Sequence, residues 1–399
     1  MKFDHDIVIS GGGIAGLSAA AAFGAAGFQV LCLDPSPPVT ERDADGADLR
    51  STAFLQPARQ FLERIGLWDS LAPHAMPLQT MRIVDVAGVQ ERQPVSRDFE
   101  ASDISDRPFG WNLPNWLLRR EMSARLSALP NVDFRPGIAS KTLFTRAAMA
   151  RVGLSDGTSV TARLVIAADG RSSPMRQAAG IDIDVTRFGQ KALAFVVTHP
   201  IPHDNVSTEI HRSGGPFTLV PLPDLDGRPS SAVVWMEEGP KAKALMEMDI
   251  GAFEEAMTER SAWLHGPLKL ASRRTIWPII AQAARRLNAE RLALVAEAAH
   301  VVPPIGAQGL NMSLKDIATL LDLCEAAPQR LGDADILAAY NRARIADIRL
   351  RVAGITLLNK TSQAATPPVQ ALRSAGITAL HGLPTIRKSL MRLGLGTTE

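Results

Sequence analysis

The sequence DIVISGGGIAGLSAAAAF at residues 6–23 passes from an apolar strand pattern through a glycine-rich turn into an alanine-rich helix pattern. Gly11, Gly13 and Gly16 have the spacing of a dinucleotide-binding turn, in which glycine permits a tight bend and a close approach of the backbone to a pyrophosphate. The helix start that follows, at Ile14 and Ala15, offers free N–H groups and a positive dipole end to that charge. This stretch predicts a Rossmann-like α/β domain with a dinucleotide site at its first turn.

Two further features of the first half of the chain suit the same site. A second strand pattern at residues 29–33 ends on Asp34, and an acid there can accept hydrogen bonds from the hydroxyls of an adenosine ribose. Apolar residues recur at helical spacing over residues 49–67, which predicts a helix with Arg50 at or just before its start. From that position a cation can reach toward the bound ligand.

Two later segments also reach positions where α/β sheets bind ligands. The apolar run at residues 164–168 predicts a buried parallel strand, which delivers Asp169 and Gly170 to its carboxyl end. Another strand pattern, at residues 291–295, leads into a third segment at residues 296–311, and a helix pattern follows. We expect the glycine turn and these two segments to converge on one ligand.

The middle of the chain has a different sequence pattern. From residue 181 to about residue 274, short alternating strand patterns are separated by Pro- and Gly-rich turns, which predicts an antiparallel sheet inserted into the first domain. We expect a discontinuous α/β domain, an inserted antiparallel-sheet domain and a helical C-terminal segment. Their predicted ranges are residues 1–80, 105–180 and 275–355 for the first, 81–104 and 181–274 for the second, and 356–399 for the third.

Composition limits the classes of protein to which the chain can belong. Of its 399 residues, 46% are hydrophobic and 21% charged, and the net charge is +2, which suits a globular enzyme and gives no general attraction to nucleic acid. The uncharged stretch at residues 11–28 is rich in Gly and Ala rather than Leu, so it predicts neither a signal peptide nor a membrane span. We therefore expect a cytoplasmic protein without a nucleic-acid partner.

Cysteine and histidine give no metal signal. Cys32 and Cys324 lie in apolar segments without paired spacing, and we expect buried thiols. His199 and His203 have the HxxxH spacing, but the prolines between them prevent the helix that would align both rings on one ion. We expect no metal.

Three motifs, taken together, resemble a known family. GGGIAG at residues 11–16, ADGRSSPMR at 168–176 and AEAAHVVPPIGAQGLNMSLKD at 296–316 have the order and spacing of the flavin-dependent aromatic hydroxylases of the para-hydroxybenzoate hydroxylase type. The similarity extends over nearly the whole chain and is to the ubiquinone-biosynthesis hydroxylase branch in particular. It implies a Rossmann-like FAD-binding domain, with FAD as cofactor, NAD(P)H as co-substrate and dioxygen as oxidant.

The resemblance also implies which residues hold the flavin. The first motif would bind the ADP part, Glu297 the ribityl and pyrophosphate region, and the loop after it would lie along the isoalloxazine ring, with Arg50 near the pyrophosphate. Arg120 falls where relatives carry a polar flavin-contacting residue, although Arg119 is an equally plausible neighbour. The full set expected to bind the cofactor is Gly11, Gly13, Ile14, Ala15, Gly16, Asp34, Arg50, Arg120, Asp169, Gly170, Glu297, Gly306, Ala307, Gly309, Leu310 and Asn311.

The implied reaction is hydroxylation of the aromatic ring of a ubiquinone precursor, a polyprenyl phenol, through reduced FAD and a flavin hydroperoxide. Nicotinamide would bind without a Rossmann domain of its own, because the chain has one nucleotide fingerprint. The resemblance implies a substrate wall from the inserted sheet, lined by Phe217 or Leu219, and places Pro304 at the flavin edge. His300 is a candidate acid or base, against the structural role that is usual at its motif position.

The third motif departs from the family pattern at two points. Ala296-Glu297 stands for the usual Gly-Asp pair, and Ser313 stands for a glycine. One alternative is a non-catalytic assembly subunit that retains the fold, of which Ala296-Glu297 would be the first sign. The other alternative, a hydroxylase of a soluble phenolic compound, differs only in the substrate. A flavin-dependent halogenase is disfavoured because Trp277-Pro278 does not reproduce the WxWxIP motif of that class.

The C-terminal segment has a basic amphipathic pattern over residues 368–395. One interpretation is a membrane-surface or partner-docking segment, which suits a polyprenyl substrate that resides in a bilayer. The other is a helical tail packed on its own domain. The first interpretation places the protein peripherally on the inner face of a membrane or within a multi-enzyme assembly.

Overall fold

The computed structural model describes residues 3–86, 95–212, 214–363 and 381–396. The strands, numbered in chain order, are β1 (His5–Ser10), β2 (Val30–Asp34), β3 (Ser51–Leu55), β4 (Met76–Leu78), β5 (Thr80–Asp85), β6 (Val95–Glu100), β7 (Gly110–Pro114), β8 (Val132–Pro136), β9 (Ser140–Arg146), β10 (Met149–Leu154), β11 (Ser159–Ala167), β12 (Ile183–Thr198), β13 (Val206–His211), β14 (Pro216–Leu225), β15 (Arg228–Glu238), β16 (Lys269–Leu270), β17 (Thr275–Ala284), β18 (Asn288–Ala289), β19 (Leu292–Leu294) and β20 (His300–Val301). The α-helices are α1 (Ile14–Ala25), α2 (Gln56–Arg64), α3 (Trp68–Leu71), α4 (Asn115–Ser127), α5 (Pro174–Ala178), α6 (Gly239–Glu247), α7 (Ile250–Arg260), α8 (Gln308–Ala326), α9 (Ala334–Ser362) and α10 (Pro384–Leu395).

An eight-stranded sheet carries the glycine turn. Its order is β18-β19-β11-β1-β2-β8, with β10 and β9 added beside β11 as antiparallel neighbours. β1 lies parallel to both β11 and β2, and its residues Ile7, Val8 and Ile9 are fully buried in a core shared with α1, α4 and α8. A strand that is buried on both faces has a continuous run of apolar residues, and for this reason β1 and β11 are recognisable in the sequence. The Rossmann-like α/β prediction is confirmed.

A nine-stranded sheet forms the second large unit of structure. Its order is β20-β17-β12-β15-β14-β13-β5-β6, with β16 beside β12, and its pairings are antiparallel except for β13 and β5. One face packs against α6 and α7. The other, here called the inner face, carries Ala192, Met236 and Trp277 and packs against Ile305 and Ile355 of the later segments. The antiparallel sheet is thus present, and it also includes β17, beyond the boundary expected at residue 274, because β17 pairs along β12.

A small three-stranded sheet, β3-β7-β4, corrects the expectation of a helix over residues 49–67. Ser51–Leu55 is a strand that pairs with β7, and α2 begins only at Gln56, with Pro57 in its first turn. The apolar periodicity of α2 continues back through Leu55, so the pattern hides the strand. Arg50 therefore precedes a strand and not a helix.

The described C-terminal segment packs on its own chain. His381 Nε2 donates a 3.0 Å hydrogen bond to the Asp98 carbonyl, and Arg387 pairs with Asp103 at 2.9 Å. At the other end of α10, the Gln308 amide donates to the Gly394 carbonyl at 3.0 Å. The helix α10 thus connects the β6 region of the nine-stranded sheet to the start of α8. The part of the predicted amphipathic segment at residues 368–380 lies outside the described residues.

Candidate active site

The glycine turn between β1 and α1 leaves an open approach to a helix N-terminus. A β-carbon on Gly11, whose φ is +103°, would lie 2.4 Å from the Ala168 carbonyl oxygen, and one on Gly16 would lie 1.8 Å from the Gly11 carbonyl oxygen. No other atom lies within 4 Å of the corresponding point on Gly13, which starts α1 without a side-chain cap. The N–H groups of the first turn, including those of Ile14 and Ala15, are therefore available to an anion.

Asp34 lies directly beside this turn. Its carboxylate accepts hydrogen bonds from the Gly12 N–H at 2.6 Å and from the Ser36 N–H at 2.9 Å. The acid therefore ties the end of β2 to the glycine turn, at the position from which the predicted ribose contact would be made.

The second predicted segment abuts the first. The Asp169 carboxylate accepts hydrogen bonds from the Ser10 hydroxyl at 3.2 Å and the Met175 N–H at 3.1 Å through Oδ2. Its other oxygen, Oδ1, is buried without a hydrogen-bond partner, and burial raises the pKa of the group. An unpartnered buried carboxylate oxygen is costly, so a ligand that donates to it would be stabilised. Gly170 follows with φ +81° and open space around it.

Arg176 joins the second segment to the third. Its guanidinium is buried and donates to the Ala298 carbonyl at 2.9 Å and to the Arg171 carbonyl at 3.0 Å. Burial lowers the pKa of this guanidinium. The tether explains the arginine of the ADGRSSPMR motif, because it holds Asp169-Gly170 and the turn around Glu297 in one place.

The altered pair Ala296-Glu297 has a strained backbone and a free side chain. Ala296 adopts φ +56°, a left-handed conformation that costs a residue with a β-carbon roughly 1–2 kcal/mol. The family's glycine would take it without that cost. The side chain of Glu297 is exposed, and its charge acts on Arg50 by raising the pKa of that guanidinium, after the larger effect of Asp48.

Arg50 lies in a small polar cluster at the predicted pyrophosphate side. It donates to both carboxylate oxygens of Asp48, at 2.8 and 2.6 Å, and its guanidinium lies 5.3 Å from the Trp277 ring centroid. Asn115 also donates to Asp48, at 3.0 Å, and together these donors lower the pKa of the Asp48 carboxyl against the effect of its burial. Arg50 is thus near Glu297 and the inner face, although its local structure differs from the prediction.

Arg119 and Arg120 occupy different faces of α4. Arg120 pairs with Glu121 at 2.8 Å and covers the Trp116 ring. Arg119 stands one helical turn after Asn115, on the face toward Asp48, and its Nε is buried without a hydrogen-bond partner. The geometry therefore favours Arg119 over Arg120 as the cation that would contact a ligand here.

The third segment ends in the loop that starts α8. Gly306 and Ala307 both have positive φ, at +62° and +55°, which turns the chain sharply into the helix. The Asn311 side chain accepts from the Leu55 N–H at 2.9 Å and donates to the Ala53 carbonyl at 2.8 Å, so it holds the loop against β3. Gly309 has open space around it, Leu310 packs against the core, and the Ser313 hydroxyl bonds back to Gly309 within the helix.

His300 belongs to a buried network behind this loop. Its Nε2 lies 2.7 Å from Asp316 Oδ2, and Asp316 also accepts from Arg344 Nε at 2.8 Å and from the Ala296 N–H at 3.2 Å. Asp316 thus links His300 to the strained Ala296 turn through Nε2, and Nδ1 of His300 is buried without a hydrogen-bond partner among the described residues. Pro304 is half-buried in the loop next to Ile305, which packs on the inner face.

Phe217 and Leu219 lie on the face of the sheet away from this loop. Both are buried against Trp235 and α7 residue Phe253. This position corrects the expectation that they line the substrate site, because residues alternate between the two faces of a strand. An apolar run does not reveal which face a residue takes, and the partly buried neighbours Thr218 and Val220 take the inner face.

These features were compared with known proteins. The family model described as FAD binding domain matches residues 4–352. The chain belongs to this FAD-binding family. Ubiquinone hydroxylase UbiL of Rhodospirillum rubrum is 32% identical over 99% of this chain and 90% of its own length. The 3-demethoxyubiquinol 3-hydroxylase of Escherichia coli is 24% identical over 98% of both chains.

Solved structures share the fold of this FAD-binding chain. The p-nitrophenol 4-monooxygenase PnpA of Pseudomonas putida superposes with a TM-score of 0.81 at 18% identity, covering 100% of both chains. Together with the family match, the relatives confirm the resemblance to flavin-dependent aromatic hydroxylases of the ubiquinone-biosynthesis branch, and the chain is an FAD-dependent aromatic monooxygenase.

Cys32 and Cys324 are free buried thiols, as predicted, and burial raises the pKa of both, that of Cys324 to about 12. No described helix has the length and hydropathy needed to cross a bilayer, and no three metal-binding side chains are grouped among the described residues.

Proposed function

We propose that this monooxygenase holds FAD across the three segments and hydroxylates the ring of a prenylated phenol, using NAD(P)H and dioxygen. The observation that carries the proposal is that the segments meet with unmet hydrogen-bonding groups: the uncapped start of α1 and the free Oδ1 of Asp169. A β-carbon on Gly11 would lie 2.8 Å from the Asp169 Cα, so these groups border one space. They fit a ligand with a pyrophosphate and ribose hydroxyls.

Each of the predicted residues would contact a different part of the cofactor. The glycine turn with Ile14 and Ala15 would hold the pyrophosphate, and Asp34 the adenosine ribose. Asp169 and Glu297 would accept hydrogen bonds from hydroxyls, and Arg50 and Arg119 would balance phosphate charge. The loop with Gly306, Ala307, Gly309, Leu310 and Asn311 would border the ring system, together with Pro304.

Bound FAD supplies the redox chemistry, which carries electrons from NAD(P)H to dioxygen and delivers one oxygen atom to the ring. The chain's own task is to exclude water and to hold the phenol. The apolar inner face around Ala192, Val234 and Met236 suits that task, because it packs next to the Ile305 loop. The prenylated phenol is the proposed substrate because the similar proteins are named ubiquinone hydroxylases and a ubiquinol hydroxylase.

A titration tests the cofactor site. Asp169→Asn should bind FAD at least tenfold more weakly than the natural chain, because an amide has one acceptor oxygen and cannot accept hydrogen bonds both from the Met175 N–H and from the ligand. The control, Asp156→Asn in the exposed hairpin turn, should bind FAD as the natural chain does. Quenching of FAD fluorescence measures both. A purified chain that is colourless and cannot be reconstituted with FAD would support the assembly-subunit alternative instead.

A substrate comparison tests the reaction. NAD(P)H oxidation that is stimulated by a short-chain prenylated phenol but not by soluble hydroxybenzoates, with hydroxylated product, is the expected result. Stimulation by hydroxybenzoates alone would favour the soluble-phenol alternative and contradict the substrate proposed here.

We also propose that the C-terminal helices dock on an anionic membrane surface, where a prenylated substrate resides. Leu350, Leu357 and Leu358 of α9 are 66%, 64% and 56% exposed. Leu383, just before α10, is 52% exposed, and Ile386 in its first turn is 43% exposed. Between Asp347 and Glu399 the sequence contains no acidic residue, and its cations there are Arg349, Arg351, Lys360, Arg373, Arg387, Lys388 and Arg392. Exposed leucines whose charged neighbours in the sequence are all basic are typical of a helix that lies at the surface of an anionic membrane.

Vesicle co-sedimentation tests the docking. The chain should sediment with phosphatidylglycerol vesicles and not with phosphatidylcholine vesicles, and salt should release it. Leu357→Ser with Leu358→Ser should abolish sedimentation, whereas Ile250→Ser, which changes a 61% exposed residue on α7, should not. Equal loss in both variants, or binding to neither vesicle, would contradict the proposal.

A further inference from the structure

A cavity of about 140 Å³ runs along one side of α8. The start of α2, the end of α10 and Arg351 of α9 enclose it, and on α8 its lining residues Asn311, Lys315 and Ala318 recur at helical spacing. The flavin is proposed at the N-terminal end of α8, so the cavity lies beside the helix and not at the cofactor end.

Most of the cavity wall is apolar. Its apolar lining residues are Leu55, Pro57, Ala58, Phe61, Met312, Leu314, Ala318 and Leu395. A cavity of nearly this size that is lined by Leu, Ile and Phe stays dry and takes benzene, which has about six carbon atoms. The cavity therefore suits a short stretch of a hydrocarbon chain.

Two cations line the same cavity. The side chain of Lys315 is 50% exposed and that of Arg351 is 16% exposed. Both pair with Asp347, at 3.2 and 3.0 Å, and Arg344 donates to the same carboxylate at 2.6 Å. Because Asp316 is the other acid that pairs with Arg344, three cations share two acids here. The excess positive charge suits a ligand with an anionic head group.

The cavity adjoins the surface that is proposed to dock on a membrane. Leu350 is 66% exposed, and it lies with Arg351 within one turn of Asp347 on α9. Leu357 and Leu358 follow at seven-residue spacing from Leu350 and Arg351, so they extend the same side of the helix. The exposed leucines therefore lead along α9 to the cations of the cavity.

Gln308 holds the wall that α10 contributes. Its amide donates to the Gly394 carbonyl at 3.0 Å and to the Gly306 carbonyl at 2.9 Å. Its side-chain oxygen accepts from Arg351 Nη1 at 2.7 Å. One side chain thus joins the end of α10, a cation of the cavity and the turn before α8, so the cavity belongs to a fixed junction of three helices.

We propose that this cavity binds one acyl chain of an anionic phospholipid, with the phosphate held by Lys315 and Arg351. The inference rests on the proposed membrane docking, which supplies the phospholipid. Charge distinguishes this ligand from the substrate, because a phenol with a pKa of about 10 is neutral at pH 7 and offers the cations no partner. The substrate is proposed at the inner face around Met236, and none of the described inner-face residues lines this cavity.

Titration calorimetry of the FAD-loaded chain with dihexanoyl phosphatidylglycerol tests the cavity, because chains of about six carbons match its size. We expect one lipid to bind per chain, and dihexanoyl phosphatidylcholine, whose head group has no net charge, to bind at least tenfold more weakly. Ala318→Phe fills the cavity from a half-buried position and should weaken binding at least tenfold. The matched control is Thr319→Phe, at the next residue of α8, which does not line the cavity and should leave binding unchanged.

A second pair of variants tests the head group and gives a readout if Ala318→Phe does not fold. Lys315→Gln should weaken binding of dihexanoyl phosphatidylglycerol about tenfold, because a hydrogen bond to a charged group is lost. Asp347 keeps Arg344 and Arg351 as partners in this variant, so the helix junction is retained. Lys360→Gln, at an exposed position later in α9, should bind the lipid as the natural chain does.

Unchanged binding in Ala318→Phe and in Lys315→Gln would overturn the inference, as would hexanoate or a short-chain prenylated phenol that binds as tightly as the phosphatidylglycerol. Leu357→Ser with Leu358→Ser should lose vesicle sedimentation and keep the soluble lipid, since neither leucine lines the cavity. A chain that sediments with vesicles but binds no soluble phosphatidylglycerol would overturn the cavity site alone. A chain that binds the soluble lipid but no vesicle would overturn the docking and support the cavity site.

Discussion

The buried contacts of Asp316 hold the third segment together, and we expect their loss to lower the stability of the protein. Its carboxylate and the Arg344 guanidinium are 2.8 Å apart, and their side chains are 0% and 1% exposed. Asp316 also accepts from His300 and from the Ala296 N–H. Removing one partner of a buried pair costs about 3–5 kcal/mol when the other charge is left alone. Because Asp347 still pairs with Arg344 at 2.6 Å in Asp316→Ala, we expect a loss at the lower end of that range, about 3 kcal/mol.

That loss is large against the total stability of a folded domain, which is about 5–15 kcal/mol. Urea unfolding followed by circular dichroism measures it as a change in the free energy of unfolding. Asp322→Ala on the same helix is the control, because its pair with Arg64 is exposed and worth less than about 1 kcal/mol. Asp316→Leu combined with Arg344→Met removes both charges and should recover much of the lost stability.

An Asp316→Ala variant that loses less than about 1 kcal/mol, or a double variant that is less stable than the single one, would show that this pair does not hold the segment. The same substitution should weaken FAD binding, since it frees the Ala296 N–H beside Glu297.

Three other predictions follow from single residues. Ala296→Gly should raise the free energy of unfolding by up to about 1 kcal/mol, because glycine adopts φ +56° without strain; a loss in urea melts would contradict this. Glu297→Ala should weaken FAD binding by about 1–3 kcal/mol in titrations, and unaltered FAD content would refute the assigned contact. Burial, with His199 nearby, lowers the pKa of His265 from 6.5 to about 4, so on acidification the unfolded chain takes up this proton before the folded chain does. The free energy of unfolding should therefore be highest above about pH 6.5 and fall by up to about 3 kcal/mol toward pH 4. In His265→Leu the free energy of unfolding should fall by a smaller amount over the same pH range.

The parts of the fold that were predictable from sequence are those with strong local rules. The glycine turn is readable because Gly11 and Gly16 have no room for a β-carbon, and β11 is readable because a strand buried on both faces is an unbroken apolar run. The motif order then predicts which segments meet, as Arg176 and its bond to Ala298 illustrate.

The parts that were missed depend on pairing between distant strands. Ser51–Leu55 is a strand because β7 pairs with it, and its own residues also fit the helical pattern of α2. Phe217 and Leu219 face α7 because of register, which a one-residue shift would reverse.

The activity proposed for this flavin monooxygenase is hydroxylation of the ring of a prenylated phenol. The most direct measurement uses the purified, FAD-loaded chain with NAD(P)H, a short-chain prenylated phenol and isotopically labelled dioxygen, followed by mass spectrometry of the product. The account predicts one labelled oxygen atom on the ring for each NAD(P)H oxidised in the coupled reaction. Product that lacks the label, or NAD(P)H oxidation that yields no ring hydroxylation of the prenylated phenol, would contradict it.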